Sequence, residues 1–177
     1  MPGPVFVRGE TVTLHSIEPE DAETVASMVN DPEVWPSLAV SEPHSAADER
    51  DWIDSLSEAD GHHFLIRVDE ATVGVIGLNH PDPVWGHAEL GVYLRPDAQG
   101  NGYAADAIRR VCRWAFEDRR LHKIFSNVYE TNPASKRMLQ AVGFTHEGTF
   151  REHAFVRGAY RDVERYGLLA GEIVDAE

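Results

Sequence analysis

Residues 94–104, which read Leu-Arg-Pro-Asp-Ala-Gln-Gly-Asn-Gly-Tyr-Ala, decide how this chain folds. The segment ends a run of alternating apolar residues, passes through a turn that contains Gly100 and Gly102, and enters an amphipathic run. Glycine adopts backbone angles that other residues avoid and lets a ligand approach closely. A strand, a tight turn and a helix in immediate succession direct several backbone N–H groups and the positive helix end at one point, which is a site suited to phosphate.

The segments on either side of this turn predict an α+β fold, with a mixed, mostly antiparallel central sheet flanked by helices. Before the turn, apolar periodicity predicts helices over 19–29 and 45–56, and strands over 11–14, 64–68, 72–78 and 87–94. After the turn it predicts a helix over 102–119, a strand over 124–129, a short helix ending near Ala141, and strands over 144–150 and 160–169. At this length we expect residues 1–177 to form a single domain.

Three interpretations of the turn compete. Asn101-Gly102 is a common hairpin dipeptide, but the residues after it follow helical spacing. Gly100–Ala105 also fits the G-x-G-x-x-A dinucleotide fingerprint, although it lies past mid-chain and only one strand–helix–strand unit follows. A P-loop is excluded because no Gly-Lys-Ser/Thr follows the turn.

The third interpretation is a resemblance. Residues Gln99–Ala104 resemble the Q/R-x-x-G-x-G/A motif of the GNAT superfamily of N-acetyltransferases. Glu89–Leu94 is similar to the strand that precedes this motif in the family, and Asn132–Ser135, followed by Gly143-Phe144, is similar to its N-x-x-S…GF segment. The resemblance implies the GNAT fold and transfer of an acetyl group from acetyl-CoA to a primary amine, directly within a ternary complex.

Three further segments resemble one branch of this family, the ribosomal-protein N-terminal acetyltransferases. They are Arg8–Leu14, Asn30–Val34 and Gly158–Tyr166. The matching segments cover nearly the whole chain, in order. They imply a protein N-terminus as the acceptor.

The resemblance also implies which residues bind acetyl-CoA. They lie on the strand before the turn, in the turn itself and at the start of the next short helix: Val92, Tyr93, Leu94, Gln99, Gly100, Asn101, Gly102, Tyr103, Ala104 and Asn132. In the family the turn holds the pyrophosphate, and a backbone N–H near Val92 or Tyr93 polarises the thioester carbonyl. Asn132 hydrogen-bonds the pantetheine arm, and its sequence also predicts a helix N-cap, with Pro133 at the first helical position.

Ser135 and Glu89 are the candidate catalytic residues. By resemblance, Ser135 lies near the sulfur and donates a proton to the departing thiolate. Many relatives use a tyrosine from the same helix, but that position is Leu139 here, which favours Ser135. Glu89 could accept the proton of the ammonium group, directly or through water, and its alternative interpretation is a solvated strand carboxylate or an ion-pair partner.

The general base has other candidates. Some ribosomal-protein acetyltransferases use a glutamate where this chain has Ala154, and the neighbouring Glu152 and His153 are possible substitutes. Cys112 lies on the apolar face of the long helix, so we expect it to fill the core and not to act as a covalent nucleophile. Nine histidines without close paired spacing predict no metal site.

Two alternatives of function stay open at this point. Leu139 and Ala154 are apolar where relatives can carry catalytic groups, so the chain could be a non-catalytic acyl-CoA-binding module. It could also acetylate a small amine such as a polyamine or an aminoglycoside. Trp35 lies in the loop where the ribosomal-protein branch often builds its acceptor pocket, although a core aromatic is an equally good interpretation.

Charge and composition limit the partners. The chain has 30 Asp and Glu against 16 Lys and Arg, so its formal net charge is -14 and it should repel nucleic acid. Acidic surfaces with few lysines suit a cytoplasm of high salt, which predicts a halophilic source, and arginine bias from a high-GC genome is the alternative. Because no apolar run could span a membrane and no signal peptide is visible, we expect a cytoplasmic protein. The acidic balance favours a cationic amine as the acceptor, and we expect a monomer or a homodimer.

Overall fold

The computed structural model describes residues 3–58 and 60–175, which form four helices and eight strands. The helices are α1 (Ala22–Val29), α2 (Ala46–Ser55), α3 (Tyr103–Glu117) and α4 (Pro133–Val142). The strands are β1 (Val5–Arg8), β2 (Thr13–His15), β3 (His62–Val68), β4 (Ala71–Asp82), β5 (His87–Leu94), β6 (Lys123–Tyr129), β7 (Thr145–Val156) and β8 (Ala159–Leu169). They make one sheet in the order β1-β2-β3-β4-β5-β6-β8-β7.

The sheet confirms the α+β prediction. Strands β1 to β5 form an antiparallel meander, and β5 pairs with β6 in the parallel direction through the crossover helix α3. The β7–β8 hairpin closes the sheet, with β8 lying between β6 and β7. The first 3 residues of β6 pair with the first 3 of β5, so the two strands are joined only at their beginnings.

Each face of the sheet is covered by a pair of helices. On one face, α3 packs over a core that includes Leu90 of β5 and Ile124 of β6. On the other face, Val25 of α1 packs on Leu65 and Val75 of the meander. The two cores follow from strand alternation, because successive side chains of one strand point to opposite faces.

Several boundaries differ from the sequence prediction. Strand β1 was not predicted, since its residues are mostly exposed and show no apolar alternation. Residues 19–21 form a 3-10 turn before α1 instead of its first turn. Strand β7 continues through 151–156 because it pairs with β8 over its length, with an irregularity between Phe150 and Ala154, whereas its own side chains are nearly all exposed.

Helix α3 is fixed to the connection between β1 and β2 by a buried carboxylate in its first turn. Asp106 Oδ2 accepts hydrogen bonds from the backbone N–H of Thr11 (2.8 Å) and of Val12 (3.1 Å), and from the Thr11 hydroxyl (3.1 Å). Gly9 is required beside it, because a Cβ there would lie 2.5 Å from Asp106 Oδ2. Burial alone would raise the pKa of Asp106, but the backbone hydrogen bonds outweigh burial and hold the pKa below its ordinary value.

The lowered pKa of Asp106 gives a stability prediction. Asp106→Asn keeps the shape but removes the charge, so we expect the free energy of unfolding to fall by about 1–3 kcal/mol at pH 7. A depressed folded-state pKa contributes stability above the unfolded value, and this contribution is lost as the pH falls through the folded value. The difference between the two proteins, measured by urea unfolding, should therefore shrink below about pH 4. Glu117→Gln, at an exposed position of the same helix, should be neutral throughout, and a difference independent of pH would contradict the prediction.

Candidate active site

The site begins where β5 and β6 separate. The last parallel pair is Glu89 with Phe125, and beyond it the strands diverge. The hydroxyl of Ser126, itself buried, donates to the backbone carbonyl of Leu90 (3.0 Å). A buried carbonyl needs a hydrogen-bond donor. Here the Ser126 side chain supplies the donor in place of a backbone N–H of β6.

The separation leaves backbone groups of β5 facing the gap. The N–H of Arg95 donates to Val73 on the β4 side (2.8 Å), whereas the carbonyl of Leu90 faces β6. Because these groups alternate along an antiparallel strand, the N–H of Val92 points into the gap. Of the two residues expected to polarise a carbonyl, Val92 has this orientation and Tyr93 does not.

The turn after β5 has backbone angles that glycine adopts readily and other residues avoid. Gly100 and Gly102 both adopt left-handed backbone angles, with φ of +79° and +81°, and a Cβ at either position would meet no protein atom within 4 Å. Their requirement is therefore conformational and does not come from packing. Gly102 is the N-cap of α3, and within the described residues no side chain caps this helix, so its first N–H groups face outward.

A groove of about 890 Å³ runs from this turn along the gap between β5 and β6. Ten of the twelve residues predicted from the sequence line it: Val92, Tyr93, Leu94, Gln99, Gly100, Gly102, Tyr103, Ala104, Asn132 and Ser135. Asn101 does not line it, since its side-chain amide donates to the carbonyls of Ala98 and Gln99 (both 3.2 Å) and so braces the turn. The other exception is Glu89.

Helix α4 brings a hydroxyl to the groove. Asn132 is its N-cap, and the Asn132 side-chain oxygen accepts from the backbone N–H of Ser135 (3.2 Å). This hydrogen bond uses the backbone N–H of Ser135 and not its hydroxyl, and Ser135 lines the groove. Leu139, at the position where relatives carry a tyrosine, is 1% exposed and belongs to the core.

Glu89 lies at the last paired position of β5, where the gap begins, and it does not line the groove. Its Oε1 accepts a hydrogen bond from Asn127 Nδ2 (2.8 Å), and Asn127 Oδ1 accepts from Arg165 Nε (3.1 Å). The Arg165 guanidinium stacks on Phe125 (4.2 Å), which holds this polar chain across three strands. Glu89 therefore has a fixed partner in β6, and its role as a base stays a prediction.

The other candidate bases lie away from the groove. The backbone N–H of Glu152 donates to Asp162 Oδ1 (2.7 Å), and the ring of His153 packs against Phe150. Both residues are exposed, and neither lines the groove. Ala154 lies opposite Arg161 in the β7–β8 hairpin.

Burial raises the pKa of three groups in the core and the groove. It raises the pKa of Cys112, which is 0% exposed in the core as expected. It also raises the pKa of Tyr93, with a smaller contribution from the charge of Glu49, and that of Tyr129. All three groups stay protonated near neutral pH. The hydroxyl of Tyr129 donates to the carbonyl of Leu38 (3.3 Å) and thereby ties β6 to the loop after α1.

Two distant segments close the far end of the groove, and the sequence predicted only part of this. The loop after α1 contributes Pro32–Val34, Pro36 and Ser37, and the β7–β8 hairpin contributes Val156, Arg157 and Arg161. The Arg157 guanidinium lies over the Trp35 ring (5.8 Å), so Trp35 joins the two segments. The position of Trp35 was the one signal of this end in the sequence.

Membrane-spanning helices and metal-ligating clusters are both absent from the described residues. No helix within residues 3–58 and 60–175 is long and apolar enough to cross a membrane. The same residues contain no group of three or more His, Cys, Asp or Glu side chains that could hold a metal ion.

Comparison with known proteins agrees with the geometry. A family profile described as the acetyltransferase (GNAT) domain matches residues 11–145. The prophage-derived uncharacterized N-acetyltransferase YokL of Bacillus subtilis is 32% identical over 93% of each chain. The ribosomal-protein-serine acetyltransferase of Escherichia coli is 22% identical over 90% of this chain and 93% of its own.

A solved structure extends the comparison to a ligand. Spermidine N-acetyltransferase from Vibrio cholerae, in complex with CoA and spermine, superposes with a TM-score of 0.82 at 25% identity, over 92% of this chain and 97% of that one. The relatives thus include proteins described as acting on a ribosomal protein and on a polyamine. From the matched domain, the parted strands and the glycine turn, we conclude that this chain belongs to the GNAT family of N-acetyltransferases.

Proposed function

We propose that this protein transfers the acetyl group of acetyl-CoA to a primary amine, directly and within a ternary complex. The observation that carries the proposal is the groove, which begins at the glycine turn after β5. Its other end is a chamber enclosed by the loop after α1 and the β7–β8 hairpin. The donor occupies the turn and the gap along β5, and the acceptor amine enters from the chamber. Among the relatives the proposal favours the ribosomal-protein branch, so the acceptor is a protein N-terminus.

The groups of the groove fit the charges that develop in the reaction. The N–H of Val92 points into the gap and can stabilise the oxyanion that forms on the thioester carbonyl. The hydroxyl of Ser135 supplies the proton that the thiolate takes as it leaves. Glu89, at the last paired position of β5, accepts the proton of the amine through water. The buried Cys112 takes no part.

A thiol-release assay against a panel of amines tests the proposal directly. Acetyl-CoA with peptides that begin in serine or alanine should release CoA, and spermidine and an aminoglycoside serve as competing acceptors. If none of the amines causes release of CoA while CoA still binds, the chain is a non-catalytic acyl-CoA-binding module.

The turn gives a prediction on donor binding. CoA should raise the melting temperature, because it binds the folded state, and NAD should not. Gly102→Val should abolish this shift, since a β-branched residue at φ +81° is strained by roughly 1–2 kcal/mol or more. Gly148→Val is the matched control, at a glycine with equal space but ordinary backbone angles. Stabilisation by NAD and not by CoA would overturn the assignment of the turn.

Ser135→Ala should lower kcat by roughly 10²-fold, the low end for loss of a general acid, with little change in CoA affinity. The N-cap of α4 survives the change, because Asn132 accepts from the backbone N–H of residue 135. Gln140→Ala, at an exposed position of the same helix, is the control. A variant with unchanged kcat, in a single-turnover measurement that excludes product release, would remove this role from Ser135.

Glu89→Gln should show a defect that depends on pH. A base is needed only while the amine arrives protonated, so the loss in kcat/KM should shrink as the pH rises. The oxygen of the glutamine amide can still accept the hydrogen bond from Asn127, so the link between β5 and β6 is preserved. A loss that is constant across the pH profile would assign Glu89 a structural role, as the partner of Asn127.

A further inference from the structure

The acceptor end of the groove has a charge opposite to that of the whole chain. The net charge of the protein is -14. The charged residues that line the groove are Glu33, Arg157 and Arg161, so the lining carries one positive charge in excess. A polycation would meet two guanidinium groups and a single carboxylate there.

Strand alternation places Arg161 on the face of the sheet away from α4. Arg161 is on the same face of β8 as Arg165, which contacts Asn127. Glu164 is on the opposite face, where its carboxylate pairs with Lys136 of α4. Arg161 is therefore on the face of the sheet away from α4, and Arg157, in the turn between β7 and β8, contacts Trp35 in the loop after α1.

Both guanidinium groups are available to a ligand. Among residues 3–58 and 60–175, no carboxylate lies within 4 Å of Arg157. Within the same described residues, Arg161 has one carboxylate partner, Glu130, at 3.8 Å, which is too long for a strong hydrogen bond. Arg157 also occupies a left-handed position of the hairpin turn, with φ of 49°, where Asn, Asp or Gly is the usual residue. The arginine is thus kept there at a conformational cost.

We propose that Arg157 and Arg161 bind an anionic group of the acceptor, so that the preferred substrate is a peptide N-terminus followed closely by an acidic side chain. This proposal rests on the proposed function for the amine, and it names the chemistry around that amine. Guanidinium and carboxylate groups form charge-assisted, often bidentate hydrogen bonds, which fix orientation as well as adding affinity. Trp35 and the guanidinium of Arg157 together cover the peptide.

Peptide binding to the CoA-saturated protein tests the proposal without relying on turnover. By calorimetry, a Ser-Asp-Glu-Ala-Ala-Gly peptide should bind about 10-fold more tightly than Ser-Ala-Gln-Ala-Ala-Gly, the gain expected of a charge-assisted hydrogen bond. The double variant Arg157→Gln/Arg161→Gln should lose this difference and keep its affinity for CoA. Arg151→Gln, at an exposed position of β7 outside the groove, should retain it.

Three results would overturn the proposal: equal binding of the two peptides, no binding of either, or a double variant that loses affinity for CoA while it keeps the peptide preference. The last result would assign the arginines to the phosphates of the donor. Thiol release with the same peptides is measured separately. A binding preference without thiol release would disprove the proposed function and leave the recognition of an anionic group standing.

Discussion

The ending of one hydrogen-bond ladder is the constraint on which the site depends. Strands β5 and β6 are joined over three residue pairs, and then the hydroxyl of Ser126 takes the carbonyl of Leu90. Had the ladder continued, the N–H groups of β5 would be consumed by β6 and no gap would exist. Because the separation is built from a buried side chain, the groove is part of the folded core and does not need a ligand to open it.

The two sides of the groove are held by different means. On the side of the glycine turn, the buried Asp106 attaches the first turn of α3 to the backbone at Thr11 and Val12. At the far end, contacts between loops hold the groove together, through Tyr129 with Leu38 and Arg157 with Trp35. The turn is therefore anchored in secondary structure, whereas the far end is formed by connecting segments, which are the parts of a fold that vary most readily.

Sequence reasoning succeeded where a local pattern carried the information. The alternation along 87–94, the helical period of α3 and the two glycines predicted the meander, the crossover and the glycine turn, because each is encoded within a short segment. It failed for β1 and for the second half of β7, whose mostly exposed residues show no apolar alternation and are strands because they pair with a neighbour. The acceptor chamber was largely missed for the same reason, since the approach of the β7–β8 hairpin to the loop after α1 is a tertiary contact.

The burial of Cys112 has a consequence for the chemistry of the product. The proposed reaction liberates CoA as a free thiol at each turnover, and where CoA is oxidised to its disulfide, a reachable protein thiolate can attack that disulfide. Cys112 is the one cysteine of the chain, it is 0% exposed, and burial raises its pKa, so it presents no thiolate for exchange. The disulfide of CoA therefore finds no thiolate on the folded protein with which to form a mixed disulfide and release CoA.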